Sequence, residues 1–395
     1  MKKSFVSFSC QLTIILSCII LSACQLRSRE GTSNDKADLK AILSDSAHIS
    51  PQYAKCFKVK YLKNGIRLVD IYSDDHSQAH SHHKAYHIAL IPRGVKAENI
   101  PGDYQDQVEV PIRSCIPMGT EYLSSFIALN ALDKVSGIAS THYLQNKTVK
   151  RLVKEGKIVR IGYEGSFDPE VVMEAHPDII FISPFKRGGY DVLKQTGITL
   201  VPYLGFKEPT ALGQAEWIKF FAMFIGKEKA ANDYFRQVVS RYNKLKALAA
   251  KATTKPTVFS GENKDGEWFV MGGKSFLAGL FRDAGATYIP ENDHHTGGYP
   301  SDFEEMYDMA ANADYWRIMN NYPGSFSYKA LQAADIRNTK FKAFKEKHVV
   351  YCNMRTSAYH ELAPLHPDQL LADFVYAFHP ELMKNYHPKF YAILK

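Results

Sequence analysis

Between residues 227 and 251 the chain abandons the mixture of short apolar strands and helical patterns that surrounds it on both sides. Tyr234, Phe235, Val238, Val239, Tyr242, Leu245 and Leu248 recur at helical spacing, and Lys255-Pro256 closes the run. As one helix, Lys227 to Lys251 would span roughly 35–40 Å. Trp217, Phe220, Phe221, Phe224 and Ile225 carry the same period just upstream, up to Gly226. A segment of that length cannot sit inside one small lobe. It has to join two.

The flanks agree. Upstream, Val135 to Ala139, Ile158 to Ile161, Asp178 to Ile182 and Thr199 to Tyr203 are short apolar strands separated by helical patterns and Gly or Pro punctuation. Downstream, Thr257-Val258-Phe259 and His348 to Tyr351 resume that rhythm. Strands alternating with helices predict mostly parallel sheets covered by helices, an α/β fold. At 395 residues and 45% hydrophobic content, the chain exceeds the roughly 250–300 residues that one core serves. Ahead of the first lobe's strands, Phe57 to Leu62 and Ile66 to Tyr72 flank Lys63-Asn64-Gly65, a hairpin signal. A third strand is expected at Ala85 to Pro92, completing an N-terminal β-hairpin elaboration. The expected division is 53–206 for the N-terminal lobe, 207–254 for the helical segment with the connecting helix, and 255–395 for the C-terminal lobe.

The amino terminus reads as an export signal. Lys2 and Lys3 precede an apolar run from Phe5 to Ile20, followed by Leu21-Ser22-Ala23-Cys24. That run is too short for an ordinary membrane span and ends in small residues, as a signal peptide does. The cysteine at the cut makes the tetrapeptide resemble a bacterial lipobox, with residues 1–23 removed and Cys24 acylated. Residues 24–52 then form a tether, and the protein belongs to the cell envelope, lipid-anchored. The tether has no acidic run of the surface-export kind, which favours the periplasmic side. Cys10, Cys18 and Cys24 lie in this region, leaving Cys56, Cys115 and Cys352 for the body. Three scattered cysteines make neither a zinc site nor a disulfide framework, though they leave room for one disulfide of unspecified pairing.

Charge excludes little but excludes it cleanly. A formal charge of +8 with no basic run does not suggest nucleic acid. No nucleophile elbow, phosphate loop, zinc-protease motif or dinucleotide fingerprint is present, so the chain is not read as an enzyme. Gly272-Gly273-Lys274-Ser275 lacks the spaced upstream glycine of a phosphate loop.

The two halves echo each other. Phe167-Asp168-Pro169-Glu170 opens a short helix that leads through His176-Pro177-Asp178 into the strand Ile179 to Ile182. Ser301-Asp302-Phe303-Glu304 opens another that leads through Asn312-Ala313-Asp314 into Tyr315 to Ile318. A carboxylate in the first turn is good helix-start chemistry by itself. Its recurrence at equivalent places is what points to function.

These residues, with Ser136 to Ala139, Gly197-Ile198, Glu216 to Lys219, Gly272 to Leu277, His366-Pro367-Asp368 and Phe378 to Glu381, resemble the periplasmic binding proteins of iron-complex and cobalamin ABC importers. The likeness runs from about Ile112 to the C-terminus. It implies two Rossmann-like lobes joined by one rigid helix, a monomer, and delivery of cargo to permease subunits served by a cytoplasmic ATPase. It also implies that Glu170 and Glu304 (with Glu305 as the lesser alternative) engage permease arginines, as two separated surface carboxylates would do to set orientation. No intrinsic cofactor is implied. The bound ligand would be a metal chelate, a ferric siderophore or haem first and cobalamin second.

Ligands of α/β lobes sit at the carboxyl ends of strands. That nominates His142, Tyr143 and Tyr163 from the first lobe and Trp268, Arg355, Tyr359 and His360 from the second. Aromatics suit a flat macrocycle or aromatic chelator, and Arg355 suits a carboxylate or phosphate. For haem, the axial ligand would come from His142, Tyr163 or His360. His76, His80, His82 and His83 form a separate cluster in a loop between two expected strands, with a weak metal site as one reading and a solvated loop as the favoured one. They lend some support to a zinc or manganese receptor, which needs three or four converging ligands. A lipoprotein that scavenges or senses without a transporter is the remaining rival.

Overall fold

The helix Glu228–Ala249 contains 22 residues, about 33 Å at the helical rise, and it begins and ends within two residues of the expected limits. The computed structural model describes residues 47–72, 85–139, 141, 144–163, 165–184 and 190–395. Contacts divide the chain into Met1–His48, of which only Ala47 and His48 are described, and a body Ile49–Lys395. Cys24, the histidines from His76 to His83, His142 and Tyr143 lie outside the described residues. No described helix is long and apolar enough to cross a membrane.

The aromatic run before the long helix forms a helix of its own, Ile218–Ile225, and every one of its side chains is buried. Gly226 ends it at φ 68°, in the left-handed region glycine enters without a Cβ clash. Burial on all sides follows from what covers it. Phe57, Val69, Ile88, Leu90 and Val108 reach one core with Trp217, Phe220 and Phe224, and the parallel strands supply Cys115, Ile179, Phe181 and Val201 to the same core. Phe181 meets Phe221 and Phe224 edge-on, with centroids 4.9 and 5.1 Å apart, a geometry that adds to the apolar gain.

The expected hairpin is half of a four-stranded sheet. Phe57–Tyr61 and Arg67–Ile71 pair antiparallel around Gly65, which takes φ 74° in the turn. Tyr86–Pro92 joins antiparallel and Asp106–Val110 parallel. One face feeds the main core; Leu68, Ala89 and Ile91 on the other close over Ile66 and Tyr104.

Behind it lies the first parallel sheet. Cys115–Pro117, Ile179–Ile182 and Thr199–Pro202 pair in parallel, with Ile179–Ile182 in the centre. A Cys115–Val135 bridge leads on towards the parallel pair Gly137–Ile138 and Val159–Arg160. In the second lobe five strands run in the order Thr287–Tyr288, Thr257–Ser260, Tyr315–Asn320, Val349–Asn353, Ala392–Ile393, all parallel except the last. One face packs Leu277, Phe281, Leu371, Phe374 and Phe378 from two helices. The other holds an aromatic core of Phe259, Trp268, Phe303, Trp316 and Phe341. The architecture is therefore the α/β fold of two lobes, with mostly parallel sheets and one long helix between them.

Buried carboxylates fasten the chain where sheets do not. Glu216, fully buried, accepts the N–H groups of Gln52, Tyr53 and Ala54 and the ammonium of Lys219 at 2.6–3.0 Å. Glu208 accepts from Lys55 N, Cys56 N and Trp217 Nε1 at 2.7–2.9 Å. Asp373 accepts from Lys389, Phe390 and Tyr391 N and from the Tyr386 hydroxyl. Each replaces a ladder with a point acceptor, so segments without a strand partner still have their backbone donors satisfied.

Candidate ligand-binding cleft

The strand ends of the two lobes meet through one carboxylate. Glu361, 1% exposed, accepts Gln145 N and Asn146 N, each at 2.9 Å. Gln145 Nε2 donates to Arg355 O at 2.6 Å beside it. Gln145 and Asn146 follow the first-lobe strand Gly137–Ile138, and Arg355 and Glu361 follow the second-lobe strand Val349–Asn353. Asn146 then caps the helix Lys147–Lys154 by accepting from Val149 N. Burial pushes the Glu361 carboxyl above the ordinary range, against the pull of the Asn146 and Gln145 hydrogen bonds.

The second-lobe floor of this cleft is polar. Glu262, just past the strand Thr257–Ser260, accepts from Asn320 Nδ2 at 3.1 Å, and Asn320 Oδ1 accepts from the Tyr351 hydroxyl at 2.8 Å. Burial raises the Glu262 pKa, offset in part by the Asn320 hydrogen bond. Beneath them Arg317 is 7% exposed and donates to the Tyr391 hydroxyl at 3.0 Å, to Ser260 Oγ at 3.2 Å and to Met319 Sδ. Every one of those partners is neutral. The charge of Arg317 is felt by the Glu262 carboxylate, whose pKa it pulls down against burial.

Among the nominated residues, Tyr163 is the most open, 69% exposed at the end of the two-residue strand Gly162–Tyr163. Arg355 is exposed and anchored by Nε to Asn321 O at 2.9 Å. Tyr359 and His360 are half-buried and begin the short helix that carries Glu361. Tyr359 faces inward, edge-on to Phe390 and Tyr391.

Trp268 is a correction. Its side chain is fully buried, stacked 5.9 Å from Trp316 in the aromatic core, because alternation along Glu267–Met271 turns it inward and Phe269 outward. Its indole donates to Ser260 O, and that of Trp316 to Gly261 O. Both tryptophans support the turn leading to Glu262 from behind; neither lines the cleft. Tyr203 is likewise a core residue, stacked on Phe221.

Glu170 and Glu304 stand in the first turns of Pro169–Glu174 and Phe303–Ala310, capped by Asp168 and Asp302. Both glutamates are exposed, and Glu304 is ion-paired with Arg337 at 2.9 Å. The three body cysteines, Cys56, Cys115 and Cys352, are buried and none of them is in a disulfide. No group of three His, Cys, Asp or Glu gathers at metal-binding distance among the described residues. A second polar pocket, lined by Arg93, Gln107, Glu109, Arg113, Asp178 and Thr199, lies at the opposite, amino-terminal ends of the first-lobe strands. An Arg93–Glu109 ion pair at 2.7 Å lies in its lining.

Arg317, Asn320 and Glu361 were absent from the nominated set. Glu361 adjoins two nominated positions, Tyr359 and His360. Arg317 carries no local signal: it lies inside the strand Tyr315–Asn320, between Trp316 and Ile318.

Comparison with known proteins now bears on this geometry. An uncharacterised lipoprotein of Methanocaldococcus jannaschii is 28% identical over 306 residues, covering 73% of this chain and 70% of its own. A periplasmic heme-binding protein of Pseudomonas aeruginosa superposes with a TM-score of 0.57 at 19% identity, over 72% of this chain and 98% of its own. An ABC-type Fe3+-hydroxamate transport system structure from Saccharomonospora viridis superposes with a TM-score of 0.52 at 15% identity, over 68% and 94%. At these identities the structures speak for the fold. The periplasmic binding protein model matches residues 117–356, more than half of the chain, and the protein belongs to that family of binding proteins, which are not enzymes.

Proposed function

We propose that this protein is the substrate-binding lipoprotein of an ABC importer, which captures an iron complex, a ferric siderophore or haem, and delivers it to a membrane permease. The observation that carries the reading is the convergence of strand-end loops from both lobes at Gln145, Arg355 and Glu361, in a chain of the periplasmic binding family. The exposed guanidinium of Arg355 favours a ligand bearing negative charge, and exposed Tyr163 offers an aromatic face or an axial oxygen. The similar structures named for haem and for Fe3+-hydroxamate transport support the same cargo class. The relative named as a lipoprotein supports acylation at Cys24. The protein acts as a monomer on the periplasmic side, its lobes bounded near residues 206 and 255, with Glu170 and Glu304 as the docking carboxylates.

The test is calorimetric titration of the body that follows Cys24 with haemin, a ferric hydroxamate, cyanocobalamin, zinc and manganese. Saturable submicromolar binding of one iron complex is the expected result. Binding of cyanocobalamin alone would replace the cargo, and a response to free zinc or manganese alone would make the protein a metal-ion receptor. Silence across the panel would overturn the cargo assignment.

A further inference from the structure

Four buried carboxylates collect backbone N–H groups in this fold, and among the described residues one of them differs from the rest. Glu208 and Glu216 bind the segment 52–56 to the helical region that shares its core. Asp373 binds the C-terminal tail to the helix beneath it, within the second lobe. Glu361 reaches from the second lobe to the first, across 215 positions of sequence.

Its surroundings are built for that reach. The segment Tyr359–Leu365 has a foot in each core: Ala363 packs with the second lobe and Leu365 with the first. The helix Tyr359–Leu362 starts from Ala358, a non-glycine residue held at φ 52°, ψ 30°. Such a conformation is strained for a residue with a Cβ and persists only where its surroundings enforce it. Gln145 supplies a second tie, from its side chain to Arg355 O. The same pair of segments therefore carries nominated ligand residues and a direct polar link between lobes.

We propose that Glu361 is a positioning residue of the binding cleft: by accepting Gln145 N and Asn146 N it locks the two lobes together and sets the width of the opening that the ligand enters. This rests on the binding-protein reading above. Removing the carboxylate leaves two part-buried backbone donors without acceptors. The lobes then relax apart so that water can reach those donors.

The experiment measures the distance between lobes. Spin labels are placed on the body that follows Cys24 through Glu174→Cys and Asp308→Cys, exposed positions on one helix of each lobe; the three native cysteines are buried. The parent is expected to give one narrow distance distribution. E361A is expected to broaden it and move it to longer distance, and to weaken by about tenfold or more, the equivalent of ~1.4 kcal/mol, whichever panel ligand the parent binds. E216A serves as the control: it lowers the unfolding midpoint and leaves the distribution narrow. Should E361A fail to fold, E361Q, which keeps one acceptor oxygen, and Q145A, which cuts the second tie, are expected to broaden it partially. An unchanged distribution in the variants that fold would overturn the proposal while leaving the titration result standing. Silence in the titration with a broadened distribution would sink the cargo reading and keep the lock.

Discussion

Arg337 donates from Nη1 to Glu304 Oε1 at 2.9 Å while its guanidinium lies 4.2 Å from the centroid of the Phe303 ring. Asp335 grips the same guanidinium from the other side at 2.8 Å, and that hydrogen bond holds the Asp335 carboxyl down to about 2. Glu170, the counterpart in the first lobe, is exposed beside its cap Asp168. The second-lobe carboxylate is thus preoriented by a neighbouring cation, whereas among the described residues Glu170 makes no ion pair.

Charge reversal follows from this pair. E170R or E304R is expected to cut uptake by at least about tenfold with ligand affinity unchanged, since rim charges steer docking. R337Q, which frees Glu304, should reduce uptake less than either reversal. Transport of the identified ligand, measured beside its Kd, decides it. A parallel fall in affinity would count against docking.

The carboxylate fasteners predict large local costs. E216A removes the acceptor for three backbone donors and the buried Lys219 ammonium. It should destabilise the body by about 3–5 kcal/mol, since a buried charge loses its partner. The urea midpoint checks this. E216Q, keeping one oxygen, should recover part of the loss.

Arg67 and Glu228 tie the N-terminal sheet to the start of the long helix, with Nη2 and Oε1 2.5 Å apart and side chains 1% and 3% exposed. R67M alone should cost about 3–5 kcal/mol by stranding the glutamate. R67M combined with E228L should recover most of it, because two apolar side chains avoid the desolvation of both ions. A double-mutant cycle in urea reads the difference.

His366 supplies a pH dependence. Burial lowers its pKa below the ordinary value of 6.5, so the folded protein holds this proton less tightly than the unfolded chain. Its contribution is complete above pH 6.5 and is lost as pH falls from there through the folded-state value. The melting temperature should therefore drop more between pH 7 and pH 5 in the parent than in H366Q. Equal slopes would remove His366 from the account.

What could be read locally was read well. The long helix, the hairpin at Gly65 and the strands Ile179–Ile182 and Thr257–Ser260 fall where period and punctuation put them. Trp268 was misjudged because a strand-end aromatic and a core aromatic look alike until alternation is fixed by a neighbour. Here pairing with Gly298–Ser301 places Trp268 opposite Ser301 and turns it inward. The segment Ile218–Ile225 looked one-sided in sequence and is buried all round, since two sheets from distant segments cover it.

The sequence alone determined the two-lobe α/β plan, because helical and strand periods, glycine turns and capping residues act within a few positions. It also determined the paired first-turn glutamates, which are marked by their own caps. Only the tertiary structure decided which polar groups meet in the cleft. Glu361 and Asn146 stand 215 positions apart, and Arg317 acquires its neutral cage from Ser260 and Tyr391, 57 and 74 positions away. A buried polar group must find a partner wherever the fold brings one, and no local pattern records which one that will be.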